Sequence, residues 1–184
     1  MKILYGGSFN PPTVAHMEIA LKLYQEFEVE ELVFLPTGNV YGKPDLAPIS
    51  DRINMLLIMC KYLKNAAVSD FEANMSEYKG TSYTLDHFKG YYFLMGADNF
   101  DYIEKWIDYP NVVIKNKFII VPRSGYDLDS KFNSIDILKK YRDNFIVLDF
   151  EKIDMSATMF RNSFDKDVVI NEIYEYIEKS GLYK

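Results

Sequence analysis

Six short apolar runs recur along the chain, and most of them are continuous rather than alternating with polar residues. Continuous runs of this length are typical of strands that are buried on both faces, as in a parallel sheet. The pattern therefore predicts buried strands within residues 3–5, 32–35, 66–68, 91–95, 118–121 and 145–148.

Helical periodicity fills the segments between these runs. Residues 14–27 carry apolar side chains four positions apart. Ser50 is predicted as the N-cap of a helix that extends through Leu63, and Gly181 as the C-terminal stop of a last helix. Shorter helices are predicted over residues 101–106, 134–141 and 168–179. Strands that alternate with helices predict an α/β fold, a Rossmann-like doubly wound and mostly parallel sheet flanked by helices, in a single domain over residues 1–184.

Charge and composition narrow the possible partners. The chain has 184 residues and a net charge of −6, which argues against a general nucleic-acid binder because phosphate backbones select basic surfaces. No apolar run approaches the ~20 residues of a membrane span, and the first run is too short for a signal peptide. Cys60 is the single cysteine, so we expect no intrachain disulfide and a small buried side chain. We therefore expect a cytoplasmic protein that binds neither nucleic acid nor membrane, while its oligomeric state stays open.

Glycines and polar residues follow most of the predicted strands. In open α/β sheets, ligands bind outside the carboxyl ends of the strands, so these segments form the candidate binding site. The segments are Gly6-Gly7-Ser8, residues 36–39, Gly96-Ala97-Asp98, Pro122-Arg123 and residues 155–158.

The first of these loops combines two glycines with a histidine. Gly6 and Gly7 have no Cβ, which would let a ligand approach the backbone closely. Asn10 or Thr13 can cap the following helix, and His16 then lies near the positive end of the helix dipole, which favours anions. Neither a G-x-G-x-x-G nor a G-x-x-x-x-G-K-[ST] sequence occurs. The loop thus indicates a polyphosphate site unlike those of dinucleotide oxidoreductases or P-loop enzymes.

A second candidate phosphate-binding segment follows the last predicted strand. Ser156 or Thr158 is predicted at the start of a helix, with Arg161 about one turn further on the same face. Hydroxyls, N–H groups and a guanidinium together suit a triphosphate. An ordinary capped helix would carry the same residues, and this alternative stays open from the segment alone.

Taken together, these two segments resemble the nucleotidyltransferase superfamily. The stretch from Gly6 to His16 is similar to its Gly-Gly-[Ser/Thr]-Phe-[Asp/Asn]-Pro-x-[His/Thr]-x-Gly-His element, and residues 156–161 to its late Ser-[Ser]-Thr-x-x-Arg element. Within it, the chain resembles the nicotinate-nucleotide adenylyltransferases through residues 36–39, 82–86, 93–98, Trp106 and residues 118–123. Ala15 and Ala157 depart from the motifs, where the family has Gly and Ser.

The resemblance implies an enzyme that transfers the adenylyl group of ATP to nicotinate mononucleotide. Deamido-NAD and pyrophosphate would form by direct attack, with no covalent intermediate, as a step of NAD biosynthesis. It also implies magnesium carried by the ATP phosphates, with no metal bound by the protein itself. Catalysis would then depend on positioning and electrostatic stabilisation.

The resemblance further implies a role for each candidate residue. The catalytic set is His16, Lys43 and Arg161. The residues implied to bind ATP are Gly6, Gly7, Ser8, Phe9, Thr13, His16, Gly96, Asp98, Ser156, Thr158 and Arg161. The residues implied to bind the nicotinate nucleotide are Asn39, Lys43, Tyr83, Thr84, Trp106 and Arg123.

Several alternatives stay open. Nicotinamide mononucleotide or phosphopantetheine could replace nicotinate mononucleotide as the acceptor. Ala15 and Ala157 would also suit a nucleotide-binding regulator that has lost catalysis. Trp106 could be a core anchor rather than a stacking platform, and Arg123 could pair with an acidic side chain rather than touch a phosphate.

Overall fold

The fold was examined in a computed structural model, which describes residues 1–39, 45–150 and 155–184. In these ranges six strands form one sheet in the order β3-β2-β1-β4-β5-β6, and every strand pair whose register is defined is parallel. This is the strand order of a Rossmann fold, in which the order reverses between β1 and β4. The strands are β1 (Lys2–Gly7), β2 (Glu31–Pro36), β3 (Ala66–Val68), β4 (Tyr92–Gly96), β5 (Lys117–Val121) and β6 (Phe145–Val147).

Eight α-helices connect or follow these strands in the described ranges. They are α1 (Val14–Glu26), α2 (Ile49–Cys60), α3 (Thr81–His87), α4 (Asn111–Lys115), α5 (Leu128–Ser134), α6 (Asp136–Lys140), α7 (Ala157–Ser163) and α8 (Asn171–Ser180). Short 3₁₀ segments cover Ala97–Asp101, Ile103–Lys105, Arg142–Asn144 and Lys166–Val168. The predicted α/β class and the six predicted strands are confirmed, while the extent of the single domain over residues 1–184 stays a prediction.

Several predicted helix boundaries are wrong. Helix α2 begins before Ser50, because the Pro48 carbonyl already accepts the first helical hydrogen bonds, from Asp51 N and Arg52 N. The segment at 101–106 forms 3₁₀ turns instead of an α-helix. The helix predicted over 134–141 is α6 alone, because Ile135 is extended and separates it from α5. Gly181, by contrast, ends α8 with a left-handed φ of 66°, as predicted.

The described chain divides into two compact units. The first contains Met1–Tyr5 and the described residues from 79 to 150, so it includes β4, β5, β6 and helices α3 to α6. Its core is rich in aromatic rings: Phe118 stacks on Phe145 with centroids 5.0 Å apart, and Phe100 and Phe132 pack edge-on against Phe145. These rings explain why the runs at 118–121 and 145–148 fold as buried strands.

The second unit contains the described residues from 6 to 78 and from 155 to 184. Strand β2 pairs with β3, and α2 packs against both strands and against α8. The buried face of α2 carries Arg52, Met55, Leu56 and Met59, three apolar side chains and one cation. This unit positions the loop after β1, helix α1 and helix α7.

Candidate active site

The loop after β1 turns sharply at Phe9, whose φ is 45°. The Phe9 ring is buried, 1% exposed, and it packs against the His16 ring at 5.1 Å and the Phe34 ring at 5.7 Å. A Cβ on Gly7 would lie 3.0 Å from this ring. The Phe9 ring therefore gives a packing reason for the glycine at position 7, and the expectation that the two glycines let a ligand approach the backbone stays a prediction.

His16 is held in one orientation by the start of helix α1. The backbone N–H of Thr13 donates to His16 Nδ1 at 2.9 Å, and the Thr13 hydroxyl lies 2.8 Å from the same nitrogen. Thr13 is the N-cap of the helix and is fully buried. Because Nδ1 accepts, the neutral ring carries its proton on Nε2. The Thr13 cap therefore makes His16 a donor at Nε2.

Asn10 connects the loop after β1 to three distant segments of the same unit. Its Oδ1 accepts from Ala47 N and from the Tyr183 hydroxyl, both at 2.9 Å. Its backbone carbonyl accepts from Arg161 Nη1 at 2.6 Å. Burial raises the pKa of Tyr183 well above its ordinary value, so the phenol keeps its proton and remains a donor. The loop is thus fixed from three sides.

Helix α7, the second candidate phosphate-binding segment, begins where the sequence predicted a helix start. Ser156 is its N-cap, and the Ser156 hydroxyl accepts from Met159 N at 3.1 Å. Arg161 Nη2 donates to Thr158 Oγ1 at 3.2 Å, so these two side chains lie together. Ser156 and Thr158 are exposed, and Arg161 is half-buried. The structure therefore brings Arg161 to the loop after β1 through Asn10, and Thr158 to Arg161.

Sequence reasoning missed Arg52, which joins the loops after β1 and β2. It is completely buried, and its guanidinium donates to Ser8 O, Thr37 O and Asn39 Oδ1, each at 2.8 Å. Thr37 N also donates to Gly7 O at 2.9 Å. A signal existed in the sequence, because position 52 falls on the apolar face of α2, where a cation is out of place.

In the first unit, Asp98 and Arg123 form an ion pair. Arg123 Nε lies 3.2 Å from Asp98 Oδ1, and both side chains are about half exposed, 54% and 55%. The Asp98 carboxylate also occupies the place that a Cβ on Gly96 would need, which is a physical reason for a glycine there. In the structure Arg123 therefore pairs with an acidic side chain, which was one of the two alternatives left open by the sequence.

The predicted nicotinate residues of this unit differ in accessibility. Tyr83 is 44% exposed, and Lys79 Nζ lies 5.0 Å from its ring centroid. Thr84 is 1% exposed, and its N–H bonds to Gly80 O at 3.4 Å. Trp106 is half-buried and packs edge-on against Phe93, with centroids 6.4 Å apart. Tyr83 and Trp106 can therefore offer surface to a ligand, whereas Thr84 is enclosed in the fold.

Lys43 lies outside the described residues. No group of three or more His, Cys, Asp or Glu side chains suited to a metal ion occurs within residues 1–39, 45–150 and 155–184. Among the helices of those ranges, none is long and apolar enough to cross a membrane.

Comparison with known proteins gives consistent results. The model of the cytidylyltransferase-like family matches residues 4–163. A probable nicotinate-nucleotide adenylyltransferase of Clostridium acetobutylicum is 32% identical, with 99% of this chain and 98% of the relative covered. A second one, of Acholeplasma laidlawii, is 31% identical over 100% and 98%. The solved Plasmodium falciparum nicotinic acid mononucleotide adenylyltransferase complexed with NaAD has a TM-score of 0.75 at 23% identity, covering 100% of this chain and 98% of that one. The structural likeness supports the Rossmann-like fold.

Proposed function

The chain belongs to the cytidylyltransferase-like family and, within it, to the nicotinate-nucleotide adenylyltransferases, and on this premise we propose that it transfers the adenylyl group of ATP to nicotinate mononucleotide. The 5′-phosphate oxygen of the nucleotide attacks the α-phosphorus of ATP, and the bond from that phosphorus to the oxygen bridging to the β-phosphate breaks. Pyrophosphate leaves and deamido-NAD forms. The orientation of His16 carries this proposal. Because Thr13 engages Nδ1, Nε2 is the donor that can stabilise the charge developing on the α-phosphate.

His16 acts through its Nε2 proton. Its Nδ1 is engaged by Thr13, so the ring can donate from Nε2 to a nonbridging oxygen of the α-phosphate without first changing tautomer. Donors that are held in place before the reaction stabilise the transition state because they need no reorganisation. The side chain stabilises the charge that develops on the phosphate and forms no covalent bond with it.

Arg161 neutralises the departing polyphosphate in this proposal, together with the Ser156 and Thr158 hydroxyls at the start of α7. Its contacts with Asn10 O and Thr158 Oγ1 fix the guanidinium before substrate arrives. A planar guanidinium offers two parallel N–H donors to two phosphate oxygens in a fixed geometry, which a lysine ammonium lacks. Lys43 is assigned the same role from the sequence resemblance alone.

Magnesium would reach this site on ATP. The polar groups at the two phosphate segments are an imidazole, hydroxyls, N–H groups and a guanidinium, and this donor set fits phosphate anions rather than a metal cage. When bound, the metal would neutralise part of the phosphate charge. The protein residues themselves bind and orient the phosphates.

The acceptor nucleotide is assigned to a second set of residues. We propose that Trp106 stacks on the pyridine ring and that Tyr83 provides a polar contact. Asn39 is assigned to the nucleotide from the sequence resemblance alone. The exposure of Tyr83 and the partial exposure of Trp106 support this. We also propose a cytoplasmic location. We further propose small-molecule substrates only, because a net charge of −6 disfavours nucleic acid as a partner.

The test is a turnover assay with a panel of acceptors. Purified protein with ATP and magnesium should release pyrophosphate with nicotinate mononucleotide, and mass spectrometry should detect deamido-NAD. Nicotinamide mononucleotide and phosphopantetheine are the parallel acceptors. Faster release with either one would contradict the assignment of the acceptor, and ATP binding without release on any acceptor would support an inactive regulator instead.

A further inference from the structure

The buried Arg52 guanidinium is not accounted for by stability alone. Removing a cation from water costs several kcal/mol, even after the surroundings relax. Its four hydrogen-bond acceptors are neutral oxygens, namely Ala47 O at 3.1 Å, Ser8 O, Thr37 O and Asn39 Oδ1. An apolar side chain would fit the rest of this helix face, where Met55, Leu56 and Met59 are buried. The cation therefore calls for a role beyond packing.

The four acceptors lie in the segments that connect β1 to α1 and β2 to α2. The first of these is the loop after β1, which is proposed to bind phosphate. A trans peptide group is planar, so its C=O and N–H point in opposite directions. Because the Ser8 and Thr37 carbonyls point at Arg52, the N–H groups of Phe9 and Gly38 point away from the guanidinium. Arg52 thereby sets the direction of one backbone donor in each loop. Oriented N–H groups of this kind are what binds a phosphate or carboxylate anion.

Two more contacts extend this control to side chains of the proposed site. Arg52 occupies Asn39 Oδ1, so the amide nitrogen of Asn39 is the atom that can donate to a ligand. Arg52 also holds Ala47 O, while Ala47 N donates to Asn10, whose carbonyl holds Arg161. A continuous chain of hydrogen bonds therefore leads from Arg52 to Arg161.

We propose that Arg52 is a positioning residue for adenylyl transfer, one that orients the loops after β1 and β2, and with them Asn39, for substrate binding while touching no substrate itself. This inference rests on the proposed function. A misplacement of about 1 Å in such a site can cost about 100-fold in rate. The expected effect of disturbing Arg52 is therefore catalytic as well as structural.

The experiment compares Arg52→Lys with Arg142→Lys. Lysine keeps the charge of Arg52 but cannot serve four acceptors. Arg142 is the control, because the contacts described for its guanidinium are with Phe145 O, at 2.7 Å, and with the Phe132 ring, whose centroid is 4.1 Å away, and neither residue belongs to the loops after β1 and β2. We expect Arg52→Lys to remain folded by circular dichroism, to lower kcat/KM by about 10- to 100-fold and to weaken ATP binding in calorimetry. Arg142→Lys should keep wild-type kcat/KM.

The outcomes separate the inference from the proposed function. A wild type that turns over no acceptor contradicts the function, and the ATP dissociation constants of the two variants still test Arg52. A folded Arg52→Lys protein with wild-type kinetics and ATP affinity overturns the inference. If Arg52→Lys does not fold, Asn39→Ala provides the test of the inference instead. Asn39 is exposed, so this variant is expected to fold. We expect a Tm lowered by about 2–4 °C, because Arg52 loses one acceptor, and a KM for the nucleotide raised about tenfold or more. A wild-type KM there overturns the inference.

Discussion

Replacing His16 separates its structural contribution from its catalytic one. His16→Ala removes the acceptor for the fully buried Thr13 N–H, which should cost about 1 kcal/mol, or roughly 2–4 °C in Tm for a chain of this size. It also removes the Nε2 donor, and loss of one such donor lowers kcat by about 100- to 1000-fold. His16→Gln restores the cap, because glutamine at the third helical position completes a Thr-x-x-Gln capping box. We therefore expect His16→Gln to recover stability without recovering most of the lost turnover.

The assay is pyrophosphate release under saturating ATP and nicotinate mononucleotide, combined with thermal unfolding of each variant. Lys22→Ala is the control on the same helix, where Lys22 pairs with Glu26 at 3.1 Å. Its turnover should match the wild type. The reasoning would be refuted by a His16→Ala protein within about threefold of wild-type kcat, or by a His16→Gln protein that regains both stability and turnover.

Three further predictions concern Arg161, Trp106 and Cys60. Arg161→Lys cannot keep both contacts of the arginine, with Asn10 O and Thr158 Oγ1. Losing one charge-assisted hydrogen bond of about 1.5–3 kcal/mol should lower kcat/KM by roughly 10- to 150-fold. An unchanged kcat/KM in steady-state kinetics would contradict this. Trp106→Leu should raise the KM for the nicotinate nucleotide and leave the KM for ATP unchanged, whereas Trp106→Phe, the control, should keep most of the affinity; equal effects on both substrates would favour a core anchor. Burial raises the pKa of Cys60 to about 11, so at pH 8 its thiolate fraction is about 100-fold lower than that of an ordinary thiol. Alkylation by iodoacetamide should be slow in the folded protein and fast in urea, and equal rates would show that the thiol is not shielded.

The fold could be predicted from the sequence because buried parallel strands leave a simple signal. Each continuous apolar run became a strand, and the periodic segments 14–27 and 168–179 became α1 and α8 with small changes at their ends. The boundary of α2 was less accessible, because a proline carbonyl begins that helix and the Ser50 side chain does not cap it. The residues at a helix end allow the helix to begin or end at several neighbouring positions, and tertiary packing determines which position is used.

The candidate site was only partly predictable, for a different reason. The contacts of Thr13 with His16 and of Thr158 with Arg161 are short-range, because capping and one-turn contacts depend on neighbours three residues away. Asn10 acts through partners that are 35 to 173 residues away in the chain, and Arg52 through partners that are 5 to 44 residues away. No local pattern encodes such contacts. The position of an arginine on a helix face with two methionines could have predicted that Arg52 is buried. The sequence could not have predicted which oxygens accept its hydrogen bonds.

The long sequence separation between Asn10 and its partners also has a consequence for folding during synthesis on the ribosome. Asn10 is separated from Tyr183 by 173 positions in the chain. At a synthesis rate of about 5–20 residues per second, this interval takes roughly 10–35 s. During that time the loop after β1 has emerged, yet its hydrogen bonds to Arg161 and Tyr183 do not exist. A nascent chain would therefore acquire its nucleotide affinity only when α7 and α8 have been made, late in translation.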